Sequence, residues 1–124
     1  MKVLLIEPNH SPRSHNIADT LEAMQDIVGG PIQAVYPFEE PVALICSEEA
    51  KLEGLPPNRA LRDEDGNVYD IICGAFFLCA APPDSEHFES LTDEQIARYT
   101  QVYRRPELFL RMGEELFAIP MEAD

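Results

Sequence analysis

Residues 52–62 constrain the fold more than any other part of the chain. They read Leu-Glu-Gly-Leu-Pro-Pro-Asn-Arg-Ala-Leu-Arg and separate two hydrophobic runs. Each proline of the Pro56-Pro57 pair lacks the N–H that a strand donates to its neighbour, so the segment cannot be a regular strand. The fixed φ angles, and the extended geometry required before each proline, make it stiff. We therefore predict a rigid loop here, and loops held by a scaffold are frequent sites of function.

This loop also carries the candidate binding residues of the chain, which are Pro56, Pro57, Asn58, Arg59, Arg62 and Asp63. Asn58 offers an amide that donates and accepts, and Arg59 offers a planar fork of five N–H donors suited to a carboxylate or phosphate. Arg62 adds a second cation in a chain with only nine basic residues. One interpretation is a pocket for an anion or for a partner's carboxylate. The other is structural: Asn58 caps a short helical turn through Leu61, and Arg59 pairs with a nearby acid.

The chain is strongly acidic, with 9 Lys and Arg against 23 Asp and Glu and a formal net charge of -14. A field of this sign repels phosphate backbones and anionic membranes, so direct binding of nucleic acid or of a membrane is disfavoured. An acidic surface suits a basic partner protein, or a DNA-binding protein whose DNA it imitates. It equally suits plain solubility in a cytoplasm. The N-terminal apolar run is too short for a signal peptide, and we predict a cytoplasmic protein.

The sequence predicts no metal site, cofactor or catalytic residue. Three cysteines lie in apolar runs, as is typical of buried reduced thiols: Cys46, Cys73 and Cys79. His10 and His15 have no further cysteine or histidine at ligand spacing. Residues 63–67 depart from EF-hand spacing because Gly66 comes only three residues after Asp63. That Asp-Gly-Asn sequence predicts a turn between strands instead.

Local patterns predict two helices. Apolar residues recur at helical spacing over residues 17–28, which predicts a first helix over that range. Gly29 follows its last apolar residue, where a left-handed backbone commonly ends a helix. Thr92 and Gln95 fit a capping box, which predicts that the second helix begins at this point.

Short apolar or alternating runs predict strands at residues 3–6, 32–36, 42–46, 68–81 and 116–119. The second and third of these should form a hairpin because only a short loop separates them. The run over residues 68–81 contains the most hydrophobic stretch and should be the central strand, with a bulge or close backbone approach at Gly74. We predict a loop at residues 9–16, a helical turn at residues 106–111 and a frayed end at residues 121–124.

Together these elements predict an α+β fold. We expect a single domain over residues 1–124, with a mostly antiparallel sheet of four or five strands and two main helices packed on one face. The competing architecture is a small α/β sandwich with some parallel pairing, because the first helix lies between two predicted strands.

Three short motifs follow one another in a recognisable order. They are Val28-Gly29-Gly30-Pro31-Ile32, a stretch from Glu48 that leads into Asn58-Arg59-Ala60-Leu61, and Asp70-Ile71-Ile72-Cys73-Gly74. Taken in this order, over roughly residues 2 to 103, the chain resembles the family of domain of unknown function 3846. The resemblance implies a setting in bacteria, phages or mobile elements such as conjugative transposons and plasmids. It supplies no catalytic residue, because no reaction is established for the family.

Two functions of different classes follow. The first is a non-enzymatic accessory or protein-interaction module of a mobile element or phage, acting through the 56–62 loop and an acidic surface. The second is a small-molecule anion-binding protein or enzyme, with Arg59 stabilising negative charge, Asn58 beside it and Asp63 as a base. The second requires a concave pocket in which these side chains converge.

Overall fold

Two helices and nine strands make up residues 1–122, the part of the chain that the computed structural model describes. In chain order the elements are β1 Lys2–Ile6, β2 Arg13–Asn16, α1 Leu21–Val28, β3 Ile32–Val35, β4 Val42–Ser47, β5 Pro57–Arg62, β6 Val68–Cys73, β7 Phe76–Ala80, α2 Asp93–Val102, β8 Glu107–Met112 and β9 Glu115–Pro120. Within these residues, no helix has the length and apolar character needed to span a membrane.

A five-stranded antiparallel sheet forms the centre of the molecule. Its strand order is β2-β1-β7-β4-β3, so β7 lies in the middle. Leu78 of β7 pairs with Leu4 of β1 on one side and with Leu44 of β4 on the other, and all three side chains are fully buried. The predicted α+β fold with a mostly antiparallel five-stranded sheet is confirmed.

The two helices lie on opposite faces of this sheet, so their predicted placement on one face is wrong. Successive side chains of a strand point to opposite faces. Leu4 packs in the core that contains Tyr99 of α2, whereas its neighbour Val3 packs in the core that contains Met24 of α1. The physical reason is visible in β4, where every residue is buried and both faces therefore need a cover.

The helix ends follow their local signals. Helix α1 begins at Leu21, four residues later than predicted, because the Thr20 hydroxyl accepts from the Ala23 N–H and caps the helix there. Gly29 ends the helix with φ +83°, as predicted. Helix α2 has the predicted capping box, in which Thr92 and Gln95 satisfy each other's backbone N–H groups.

Two segments predicted to lack strands contain them. β2 lies within the predicted loop at residues 9–16 and pairs with β1 at the sheet edge, where polar exposed side chains are tolerated. β8 replaces the predicted helical turn at residues 106–111 and pairs with β9, which confirms the strand predicted at residues 116–119. Met121 donates its N–H to the Pro106 carbonyl, 2.7 Å away, so the pairing continues into the predicted frayed end. Residues 123–124 of that end lie outside the described residues.

The predicted strand over residues 68–81 is divided at Gly74. β6 pairs with β5 in a separate two-stranded sheet, and β7 enters the central sheet. Gly74 has φ +76°, and a Cβ at this position would lie 2.8 Å from Cδ1 of Leu55. The close approach to the backbone predicted here is confirmed, because the Leu55 side chain occupies the space that a Cβ would need.

Candidate functional site

The predicted loop at residues 56–62 is largely strand β5. Pro57 is the first residue of the strand, where the missing N–H interrupts no ladder, and the pairing with β6 shifts register between Pro57 and Arg59. Pro56 precedes the strand, and its carbonyl accepts from the Gly74 N–H at 2.7 Å. The inference that two prolines exclude a strand is therefore wrong for residues 57–62.

Asn58 connects the β5–β6 sheet to the central sheet from inside the molecule. The residue is only 1% exposed. Its Nδ2 donates to the Ile6 carbonyl at the end of β1, at 2.9 Å, and to the Gly74 carbonyl, at 2.8 Å. Its Oδ1 accepts from Nη1 of Arg59 at 2.8 Å. Asn58 therefore does not cap a helical turn, as one interpretation predicted; its amide links strand β1 to the crossover between β6 and β7.

Arg59 is the largest side chain that is fully buried, and its donors are all bound to neutral acceptors. Nε and Nη2 donate to the Tyr103 carbonyl at 3.2 and 3.0 Å, and Nη2 also donates to the His10 carbonyl at 2.6 Å. Nη1 donates to the backbone carbonyl of Asn58 at 3.2 Å and to its Oδ1. These are the five N–H bonds that a guanidinium can make.

The position of Tyr103 explains how the charge of Arg59 is tolerated. Tyr103 is the C-terminal cap residue of α2, where backbone carbonyls lack helical partners and carry the negative end of the helix dipole. Burial lowers the pKa of Arg59, and the charge of the nearby Glu107 carboxylate opposes that change. An arginine stays protonated under such conditions. Arg59 therefore acts as a cationic cap for α2, instead of pairing with a nearby acid as the structural interpretation predicted.

Arg62 connects β5 to the C-terminal hairpin. Its Nη2 lies 2.6 Å from Oε2 of Glu107, the first residue of β8, and 3.3 Å from the Ala118 carbonyl of β9. Oε1 of Glu107 accepts from the Ala60 N–H at 3.0 Å, and the Glu107 side chain is only 5% exposed. Sequence reasoning missed Glu107 because one glutamate after a proline carries no signal of burial.

Asp63 does not converge with Asn58 and Arg59. Its Oδ1 accepts from the backbone N–H groups of Asp65 and Asn67, at 3.0 and 2.9 Å, in the exposed turn between β5 and β6. This confirms the turn predicted at residues 63–67. The grouping of Arg59 with Asp63 as a base, which the alternative function requires, is therefore not assembled.

A groove of about 330 Å³ lies over this region. Its charged and aromatic lining includes Phe38, Arg59, Arg62, Tyr69, Arg105 and Glu107. The cations are engaged by acceptors of the chain itself: Arg62 by Glu107, and Arg105 by the Met121 carbonyl, 3.1 Å from its Nε. A ligand in this groove would compete with these contacts for the guanidinium groups of Arg62 and Arg105.

One group of exposed apolar side chains lies on the β8–β9 hairpin. Leu108 pairs with Ile119 and Leu110 with Phe117, so these four side chains share one side of the hairpin with Met112. They are between 40% and 66% exposed. We call these five residues the hairpin face. Two short apolar runs on either side of Gly113, residues 108–110 and 116–119, are the signal that could have predicted it.

The cysteines form no reactive or metal-binding group. Among the described residues, no cluster of three or more His, Cys, Asp or Glu side chains could hold a metal ion. Cys46 and Cys79 are buried and Cys73 is half-buried, all as free thiols. Burial raises the pKa of the Cys79 thiol to about 12, with a further contribution from the Asp19 charge. The thiol is therefore protonated at neutral pH and is not a nucleophile.

Comparison with protein families shows that residues 1–104 match a domain of unknown function (DUF3846). The chain belongs to this family. The DUF3846 match contains the central sheet, both helices and the β5–β6 pair, and it ends one residue after Tyr103. The β8–β9 hairpin lies C-terminal to the matched residues. Searches of curated proteins and of solved structures gave no match.

Proposed function

We propose that this DUF3846 protein is a non-catalytic protein-interaction module that binds its partner through the hairpin face. The observation that carries the proposal is the grouping of five exposed apolar side chains on one side of a two-stranded hairpin. Contiguous exposed apolar patches of this kind often mark protein-binding sites. Covering the hairpin face removes apolar area from water and stabilises the complex by about 25 cal/mol per Å².

The way the hairpin is attached supports this function. A two-stranded hairpin alone is marginally stable in water. Here its base is fixed to the domain through the Arg62–Glu107 ion pair and the Ala60 N–H, while its apolar side faces solvent. A surface held in place before binding loses less conformational entropy when a partner arrives. The buried Asn58–Arg59 pair contributes indirectly, because Arg59 holds Tyr103 at the end of α2, four positions before the hairpin begins at Glu107.

The cellular setting is part of the proposal. A bacterial mobile element or phage is the setting that the family resemblance implies, and a cytoplasmic location agrees with three free thiols. A protein partner, and not nucleic acid or a membrane, agrees with the net charge of -14. The alternative function, anion binding or catalysis by Asn58 and Arg59, requires donors that are already bound to neutral carbonyls.

Photo-crosslinking in a host lysate tests the proposal. A photoreactive residue replaces Met112, the most exposed member of the hairpin face, and the captured proteins are identified by mass spectrometry. The same probe is placed in a Leu110→Thr, Phe117→Thr double variant, since threonine keeps strand propensity. Leu52→Thr, at a residue that is 90% exposed outside the hairpin, is the matched control.

We expect a specific protein that the parent and the Leu52→Thr variant capture and the double variant loses. Urea unfolding of all three proteins verifies that each is folded. Equal capture by the parent and the double variant would mean that the hairpin face is not the binding surface.

A further inference from the structure

The groove beside the base of the hairpin is lined by positive charge in a chain that is strongly acidic overall. Three of the nine basic residues line it: Arg59, Arg62 and Arg105. Among residues 1–122, one carboxylate lines it, that of Glu107. Charges of one sign in a cleft with low-dielectric walls attract ions of the opposite sign. This excess of arginine favours an anion as the ligand of the groove.

Glu107 does not neutralise the other two arginines. Its Oε2 lies 2.6 Å from Nη2 of Arg62, and its Oε1 accepts from the Ala60 N–H. Arg59 donates its hydrogen bonds to neutral oxygens, so no carboxylate is in hydrogen-bond contact with it. Arg59 therefore contributes positive charge to the groove, although its own donors are already used.

Arg105 is the arginine that can bind a ligand directly. Its Nε donates to the Met121 carbonyl, and its Nη2 lies 3.6 Å from Oε1 of Glu122. The Glu122 side chain is 97% exposed and that of Arg105 is 46% exposed. An exposed ion pair contributes little to stability. An incoming anion can therefore take the place of Glu122 without breaking a buried contact.

Apolar and aromatic side chains form the rest of the groove wall. Tyr69 and Val102 are exposed and Phe38 is half-buried. Tyr69 lies close to Arg62 across the β5–β6 pair, because its neighbour Val68 pairs with Arg62. A planar ring can pack against both a tyrosine and a guanidinium. The volume of about 330 Å³ is at the small end of the range for ligand pockets.

We infer that this groove binds a small organic anion, in which a carboxylate or phosphate is attached to a planar ring. Arg105 donates to the anionic group, and Tyr69 and Val102 cover the ring. The site is separate from the hairpin face, because successive side chains of β8 point to opposite sides and Glu107 is the neighbour of Leu108. The inference is therefore independent of the proposed function, and it does not use the donors of Asn58 and Arg59.

Amide chemical-shift titration of the ¹⁵N-labelled protein tests this inference with four probes. Benzoate and phenyl phosphate combine a ring with an anionic group, whereas inorganic phosphate has no ring and benzyl alcohol has no charge. We expect both aromatic anions to shift the amides of Ala60, Arg62, Tyr69 and Arg105 and to saturate at millimolar concentration. The two incomplete probes should bind at least about tenfold more weakly. Added salt should weaken binding of the anions.

Charge-matched variants separate the groove from the overall charge of the chain. Arg105→Gln should weaken binding of both aromatic anions about tenfold, because the direct donor is lost. Arg104→Gln removes the same charge from the adjacent exposed residue, which does not line the groove, and should change binding less than twofold.

A second pair of variants tests the ring contact. Tyr69→Thr keeps strand propensity and a hydroxyl but removes the ring, and it should weaken benzoate binding several-fold. Tyr36→Thr is the control, since Tyr36 is 61% exposed and lines a different groove. The amide spectra verify that every variant is folded.

The outcomes decide for or against the inference. Saturable shifts at the groove that Arg105→Gln weakens and Arg104→Gln does not would uphold it, and the tighter of the two aromatic anions identifies the anionic group. Equal binding of benzyl alcohol and benzoate, equal effects of the two arginine variants, or no saturable shift at the groove would overturn it. Crosslinking through the hairpin face would stand in each of these cases, because it concerns a different surface.

Discussion

At the scale of single residues, the most informative side chain is Arg59, which is buried without a carboxylate in hydrogen-bond contact. A buried charge is tolerated when hydrogen bonds replace the water it has lost. Arg59 obtains them from carbonyls at His10, Asn58 and Tyr103, so it fixes the positions of three segments distant in sequence. The sequence singles out this arginine by its unusual neighbours, but its acceptors are visible only in the folded chain.

Replacing this arginine should destabilise the protein even when the positive charge is kept. Lysine has three donors on one nitrogen and cannot reach acceptors on both sides of the guanidinium. We expect Arg59→Lys to lower the free energy of unfolding by about 3 kcal/mol, because buried carbonyls lose their partners. Urea unfolding followed by circular dichroism measures this change.

The control for that measurement is Arg98→Lys. Arg98 pairs with Glu40 at 3.0 Å, but its side chain is 49% exposed. An exposed pair of this kind is worth at most about 1 kcal/mol. Similar losses in the two variants would show that the neutral acceptors of Arg59 contribute little.

At the scale of elements, Gly74 sets the path of the chain between two sheets. A left-handed backbone here turns the chain from β6 into β7, and the absent side chain leaves space for Leu55. Gly66 in the β5–β6 turn has a similar φ of +84°, but nothing lies within 4 Å of where its Cβ would be. Comparing substitutions at the two glycines therefore separates the energetic cost of backbone strain from the cost of steric contact.

We expect Gly66→Ala to cost about 1 kcal/mol of stability, from the left-handed backbone alone. Gly74→Ala should cost about 1 to 3 kcal/mol more, because the new Cβ would overlap Leu55. Thermal and urea unfolding measure both changes. A double-mutant cycle with Leu55→Ala should show that removing this leucine recovers part of the additional loss. Absence of such coupling would attribute the loss to backbone strain.

Elements with local signals could be predicted from the sequence. The capping box at Thr92, the helix end at Gly29 and the turn at Gly66 each depend on residues within a few positions. The hairpin of β3 and β4 likewise follows from two apolar runs and a short loop.

Features that depend on distant contacts could not be predicted. The faces on which the helices lie follow from the sheet order, and the strand character of residues 57–62 follows from pairing with β6. The same restriction applies to predicting the candidate site. Asn58 and Arg59 stand out in the sequence by their chemistry, but their hydrogen-bond partners lie 44 to 52 positions away, at Tyr103, His10 and Ile6. Glu107 joins the site only through this packing.

At the scale of the whole molecule, burial keeps cysteine thiols and tyrosine hydroxyls protonated to a higher pH than in the unfolded chain. Burial raises the pKa of all three cysteines and of Tyr99 and Tyr103, with the Glu40 hydrogen bond also contributing at Tyr99. Below the pKa of the unfolded groups, both states hold these protons and stability is unaffected. Above it, the unfolded chain releases protons that the folded chain retains. Stability should therefore fall as the pH rises.

Cys79 should account for a measurable part of this alkaline loss. Its pKa rises from an ordinary 9.0 to about 12 in the folded protein, so full titration would correspond to on the order of 4 kcal/mol. We expect the free energy of unfolding, measured in urea with a reductant from pH 8 to pH 11, to decline more steeply in the parent than in Cys79→Ala.

The matched control is Val42→Ala, which removes apolar volume from the same sheet but leaves every thiol in place. It should lower stability at all pH values and keep the parent's slope, since a cavity does not titrate. If Cys79→Ala also kept the parent's slope, the alkaline loss would have to come from the other raised groups or from the growing negative charge. The second cause can be separated because added salt screens net charge and leaves the desolvation of a buried thiol unchanged.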